Sequence, residues 1–148
     1  MLRIRRDLVD AMVSHARRDH PDEACGILAG PEGEDRPERI VTMLNSARSP
    51  TYYEFDPTEW NAVYREMTGK DEEPIVIYHS HTATEAYPSR TDIARAGEYA
   101  TLLPSPHYVL ISTRDPDTHE LRSYRIDGGE VTEEPIEIVE AAEYPAAP

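Results

Sequence analysis

The sequence predicts a mixed α and β domain, and three observations carry that prediction. Apolar residues recur at helical spacing in separate stretches, short β-branched runs stand between turn residues, and 148 residues is the length of about one domain. Residues 1–140 are expected to form this domain and residues 141–148, rich in Ala, Pro and Glu, a flexible tail. A hydrophobic share of 39% and a charged share of 30% make a globular balance, while thirteen prolines call for many loops and short elements.

From Arg6 to Asp19, Leu8, Val9, Met12 and Val13 recur at helical spacing, and His20-Pro21 closes this first helix. Ala24 to Leu28 reads as a strand ended by Gly30-Pro31, and a charged loop from Glu32 to Glu38 leads to a second strand, Arg39 to Leu44. Tyr52 to Phe55 has strand composition. Asp56-Pro57 then supplies an N-cap and a proline at the first helical position. Trp60, Val63, Tyr64 and Met67 follow as one apolar stripe of a second helix, read as core packing, until Gly69 stops it.

Ile75 to Tyr78, after Pro74, suits a buried strand that runs straight into His79-Ser80-His81. A loop to Pro88 precedes a third helix from about Arg90 to Thr101, and Pro104-Ser105-Pro106 separates it from a strand at Tyr108 to Ser112. Leu121 to Ile126 and Val131 to Val139 read as final strands around the turn at Asp127-Gly128-Gly129.

Fifteen basic residues against twenty-nine acidic ones give a formal charge of −14, which repels nucleic acid and anionic membranes and otherwise serves solubility. Cys25 is the sole cysteine, so no internal disulfide can form and nothing points to an oxidising compartment. No apolar run approaches the roughly 20 residues of a membrane helix, and Met1 to Asp10 lacks an apolar signal core. A cytoplasmic protein is expected, and a homodimer stays open.

On an extended strand, His79 and His81 point to the same side and can share one metal ion. Ser89 and Asp92, three apart at a helix start, also share a face, and the loop between the pairs can fold Asp92 back as a third ligand. Two nitrogens and one carboxylate suit a single Zn2+, and three protein ligands leave one tetrahedral position for a catalytic water whose pKa zinc lowers towards 7. Glu23 is the candidate proton carrier, and Ser89 the hydroxyl donor to a developing oxyanion. Taken alone, Ser89-x-x-Asp92 is an ordinary helix cap and a strand His-x-His an ordinary polar pair. All four offsets together arise by accident in about one chain in a thousand, so the metal reading prevails. His15, His20, His107 and His119 have no such spacing and are read as structural. Thr84, Glu85 and Tyr87 lie in the loop between the ligand pairs and are read chiefly as surface residues.

His79-Ser80-His81, seven residues, then Ser89-Arg90-Thr91-Asp92, with Glu23 upstream, resembles the JAMM motif of the MPN+ metalloproteases, and the resemblance spans roughly Arg6 to Val139. It implies an α/β sandwich, the cytidine-deaminase-like MPN fold, with a mixed curved sheet flanked by helices. It also implies zinc on His79, His81 and Asp92, acid/base chemistry at Glu23, an oxyanion contact from Ser89, and Cys25 as a buried neighbour. Short bacterial members of that family resemble hydrolases that release cysteine from the C-terminal glycine of a small ubiquitin-fold sulfur carrier. The implied partner therefore ends in Gly-Gly, a tail without side chains that can thread a narrow groove. Two other readings share the fold: an isopeptidase acting on another ubiquitin-like modifier, and a non-catalytic MPN scaffold, which the intact motif argues against.

Overall fold

The computed structural model describes residues 1–103 and 105–141. In chain order the elements are β1 (Leu2–Arg5), α1 (Arg6–Asp19), β2 (Cys25–Pro31), β3 (Arg39–Met43), α2 (Pro57–Gly69), β4 (Glu72–His81), α3 (Arg90–Tyr99), β5 (His107–Ser112), β6 (Glu120–Asp127), β7 (Glu130–Glu134) and β8 (Ile136–Val139). Six strands form one mixed sheet in the order β3-β2-β4-β5-β6-β7, in which β4 and β5 are parallel and the other neighbours antiparallel. Helix α3 makes the crossover between the parallel strands β4 and β5.

Alternation along the central strands divides the core. Leu28, Val76, Tyr78, Val109 and Ile111 point to one face and pack with Leu8, Val9, Met12 and Ala16 of α1. Ile27, Ile77 and Tyr108 point to the other face and meet Met67 of α2 and Ala96 of α3. The result is the α/β sandwich that the family resemblance implies, with three helices around a mixed sheet among the described residues.

One strand was unread in the sequence, and three expectations need correction. Leu2–Arg5, unread in the sequence, is a strand with Leu2 and Ile4 buried, and it pairs parallel with β8. Val131 to Val139 is two strands and not one: Pro135, which lacks an N–H, interrupts the ladder, so β7 pairs with β6 while β8 joins β1. The Pro135 carbonyl accepts from Leu2 N–H at 2.9 Å instead. Tyr52 to Phe55 is no strand and forms only the bridge Asn45–Phe55, because the Asn45 side chain occupies the backbone groups of Tyr52 and Glu54. Within the α2 stripe Met67 is buried and Trp60 and Val63 are half-buried, but Tyr64 is exposed.

The third helix ends at Tyr99, with turns after it. Of the expected tail, 142–148 lies outside the described residues, as does Pro104 of the proline spacer. Among the described residues no helix is long and apolar enough to cross a membrane.

Candidate metal centre

The site is built where β2, β4 and the N-terminus of α3 meet. Cys25 pairs with His79 in the antiparallel β2–β4 ladder, and Ser80 N–H continues that ladder by donating to the Ala24 carbonyl at 3.0 Å. Ala24 N–H returns a bond to Ser80 Oγ at 2.8 Å. One further step of this register sets Glu23 across from His81, on the same face as Cys25 and His79.

Helix α3 delivers the remaining candidate ligand. Its N-cap Ser89 accepts from Asp92 N–H at 3.1 Å, and Ser89 N–H donates to Asp92 Oδ2 at 2.8 Å, a complete capping box. The capping and metal readings of this pair are thus compatible: the cap orients the carboxylate that faces the histidines. His79 Nε2 lies 3.1 Å from Asp92 Oδ1, His81 Nε2 lies 3.0 Å from Asp92 Oδ2, and the two Nε2 atoms are 3.3 Å apart. Donor atoms of a tetrahedral zinc, at about 2.0–2.1 Å from the ion, are about 3.3 Å from one another, so these three are spaced to share one cation.

Tautomer and orientation also suit a cation. His81 Nδ1–H donates to the Glu85 carbonyl at 2.8 Å, which leaves the Nε2 lone pair directed at the centre. His79 Nδ1 is buried without a partner, and its ring is held by stacking on Tyr53, with centroids 4.4 Å apart. Burial lowers the pKa of His79, against the pull of Asp92. At His81 burial acts the same way, but the hydrogen bonds with Asp92 and Glu85 outweigh it and raise the pKa. Burial would raise the pKa of Asp92, yet the two imidazoles and the Ser89 N–H hold it far below the usual carboxylate range.

Glu23 is 3% exposed, and its Oε1 has no hydrogen-bond partner. Burial pushes its carboxyl up to about 8; His81 opposes the shift and Asp92 adds to it. An acid raised in this way holds a proton near neutral pH and can both take and give one. The Ser89 hydroxyl is exposed and uses a lone pair in its cap, so its proton stays free for an acceptor. Cys25 is fully buried, and burial pushes its thiol well above its ordinary value, which keeps it protonated.

Two supports of the site carried no sequence signal. Asn45 donates to the carbonyls of Glu23 and Tyr52 and accepts from Ala47 and Glu54, tying the β3–α2 connection to the Glu23 segment. Tyr53, the platform under His79, lies in the stretch that reads as an ordinary strand. Of the loop residues, Thr84 Oγ1 is 3.3 Å from His81 Nδ1, Glu85 acts through its carbonyl, and Tyr87 is exposed. The histidines read as structural find partners elsewhere: His15 with Tyr78 and Asp19, His20 with Thr113, and His107 with Asp35 and Glu134, while His119 is exposed.

Comparison with known proteins agrees with this geometry. Residues 5–127 match the family described as prokaryotic homologs of the JAB domain. The chain is 66% identical over 140 residues to the "CysO-cysteine peptidase" of Mycobacterium tuberculosis, covering 95% of this chain and 92% of that protein. It is 36% identical over 111 residues to the "desampylase" of Haloferax volcanii, covering 68% of this chain and 77% of that protein. A solution structure of a Desulfitobacterium hafniense protein superposes with a TM-score of 0.80 at 30% identity, covering 99% of this chain and 100% of the other. The crystal structure of a JAB1/MPN domain protein from Archaeoglobus fulgidus shares the fold, with a TM-score of 0.60 at 18% identity over 93% of this chain and 97% of the other. With its sheet order, its family match and its 66% identity to a CysO-cysteine peptidase in agreement, the chain belongs to the JAB/MPN family of hydrolases, among the prokaryotic homologs of the JAB domain.

Proposed function

We propose that this chain is a zinc-dependent peptidase, one catalytic domain over residues 1–140, that hydrolyses the bond after the C-terminal glycine of a ubiquitin-like sulfur carrier and releases cysteine. The observation that carries the reading is the convergence of His79, His81 and Asp92 on one point beside a buried Glu23 with an unpartnered oxygen. The 66% identity to a protein named for peptidase action on CysO-cysteine supports the substrate class. A single buried cysteine suits a reducing, cytoplasmic setting.

In this mechanism His79 Nε2, His81 Nε2 and an oxygen of Asp92 would hold Zn2+. Bound there, the ion would supply Lewis acidity and make water a nucleophile near neutral pH. Glu23 accepts a proton from the attacking water as oxygen adds to the scissile carbonyl carbon. It then gives that proton to the amine nitrogen as the C–N bond breaks, so one carboxyl acts first as base and then as acid. The free Ser89 hydroxyl proton is offered to the carbonyl oxygen as negative charge builds on it, an interaction worth about 3 kcal/mol of barrier.

The desampylase match keeps a second reading in view, cleavage of an isopeptide bond to a ubiquitin-like protein with the same residues. One experiment tests both: mass-resolved cleavage of a ubiquitin-fold carrier ending in Gly-Gly-Cys and of the same carrier joined through its glycine to a lysine side chain. Wild type, Glu23→Gln and a chelator-treated sample are compared, with zinc content measured on each. Release of cysteine by wild type alone supports the peptidase. Release of lysine alone supports the isopeptidase, and absence of stoichiometric zinc sinks both.

A further inference from the structure

An open cleft of about 250 Å³ lies beside Glu23, lined by Asp19, Asp22, Glu23, Leu44, Asn45 and Arg48. Arg48 is the cation of this lining, and among the described residues its guanidinium meets no hydrogen-bonding or ion-pairing partner. Asp19 is already engaged, 3.1 Å from His15 Nε2 and 3.4 Å from Arg18 Nε. Leu44, 53% exposed, adds an apolar wall.

The loop that bears Arg48 is fixed relative to the site. Ser49, its chain neighbour, accepts from Glu23 N–H at 2.9 Å, and Asn45 Nδ2 donates to the Glu23 carbonyl at 3.0 Å, so both backbone groups of Glu23 are held by the loop that bears Arg48. Thr82, next to His81, donates from Oγ1 to Pro50 O at 3.1 Å and ties the other end. Arg48 itself sits at φ +46°, a left-handed conformation that Asn or Gly adopts more readily than a long side chain. A loop that needed only the turn would be better served by either of them.

We propose that Arg48 binds the free α-carboxylate of the amino acid leaving the scissile bond, and so selects a C-terminal residue over a lysine side-chain amine. This deepens the peptidase reading and rests on it. In a leaving α-amino acid the carboxylate is a single carbon away from the nitrogen that Glu23 protonates, so a cation that reads it must share the cleft with Glu23, as Arg48 does. A lysine amine presents a long methylene chain at that place, and its own carboxyl is bound in a peptide bond. The acidic side chains of the cleft repel a carboxylate and the guanidinium forks onto it, which orients the leaving group.

The test measures cleavage of a carrier ending in Gly-Gly-Cys with a free carboxylate against the same carrier ending in Gly-Gly-Cys amide, by zinc-loaded wild type, Arg48→Gln and Arg48→Lys. Wild type is expected to favour the acid by roughly 10- to 100-fold in kcat/KM, carried in KM. Arg48→Gln should bring the acid down towards the level of the amide, with a much smaller effect on the amide than on the acid, and Arg48→Lys should recover part of the preference. Equal cleavage of acid and amide by wild type overturns the proposal while leaving the peptidase intact. So does an equal loss on both substrates in Arg48→Gln. Failure of zinc-loaded wild type on both substrates overturns the peptidase reading, and this one with it.

Discussion

Two clusters of the same residue types stand at opposite ends of the parallel pair β4–β5, and they do opposite things. At the carboxyl end of β4, His79, His81 and Asp92 turn polar atoms towards one point, and the buried Glu23 beside them keeps its Oε1 unpartnered. At the start of β5, beside Val76, His107 is 1% exposed with both ring nitrogens engaged, Nδ1 with Glu134 at 2.6 Å and Nε2 with Asp35 at 2.7 Å. Ser123 donates to Glu134 at 2.8 Å, and Arg125 stands 3.7 Å away. Burial would raise the Glu134 carboxyl, but its hydrogen bonds with His107 and Ser123 hold it at about 2, whereas Glu23 is pushed up to about 8. A cluster whose hydrogen bonds close on themselves supports the fold, and one with lone pairs left over is prepared for a cation and a proton.

Exchanging the two histidines is the sharpest way to break this comparison. His79→Ala should remove stoichiometric zinc and lower turnover by at least about 1,000-fold, read by metal analysis and carrier cleavage. His107→Ala should keep zinc and turnover at low temperature, yet lose about 3 kcal/mol of stability in denaturant unfolding, because Glu134 is left buried with fewer partners. Zinc loss in the second variant would erase the distinction.

The acid side of the comparison gives opposite slopes of stability against pH. The Glu134 carboxyl titrates at about 2 in the fold against an ordinary 4.5, so its stabilisation is full above 4.5 and is lost as pH falls towards 2. Glu23 titrates at about 8 against 4.5, so the fold favours its protonated form and the metal-free protein loses stability as pH rises from 4.5 to 8. Metal-free Glu23→Gln should therefore be more stable than wild type at pH 8 and nearly equal to it at pH 4.5, while Glu134→Gln should be less stable than wild type at pH 7. Thermal melts across that range check both signs, and a flat difference for Glu23→Gln would contradict the burial argument.

The smallest expected effect concerns how His79 is oriented. Tyr53→Leu keeps an apolar side chain under His79 but removes the stacked ring, and should weaken zinc binding roughly 10-fold while costing about 2 kcal/mol of global stability, because Tyr53 is buried in the core. Chelator competition measures it, and unchanged affinity would show that the β4 backbone alone aims His79.

A more local device separates the two faces of the sheet. Gly26 lies under the Tyr78 ring, and a Cβ there would stand 2.4 Å from the phenol oxygen that meets His15 Nδ1 at 2.7 Å. This contact belongs to the α1 face and lies outside the metal centre.

What the sequence by itself determined were the parts whose geometry is local. His79 and His81 share a face because strand alternation has period two, and Asp92 is aimed by a capping box that Ser89 closes within one helical turn. The α2 start at Asp56-Pro57 and the apolar stripe of α1 were legible for the same reason. Tertiary structure decided whatever depends on register between distant segments. Glu23 reaches His81 only through the antiparallel β2–β4 ladder, and no spacing along the chain distinguishes it from the other glutamates. The pairing of β1 with β8, the break at Pro135 and the Asn45 staple that replaces a strand at Tyr52–Phe55 each join residues far apart or exchange a backbone partner for a side chain. Periodicity reports which face of an element is buried; which backbone or guanidinium lies opposite is decided only when the sheet closes.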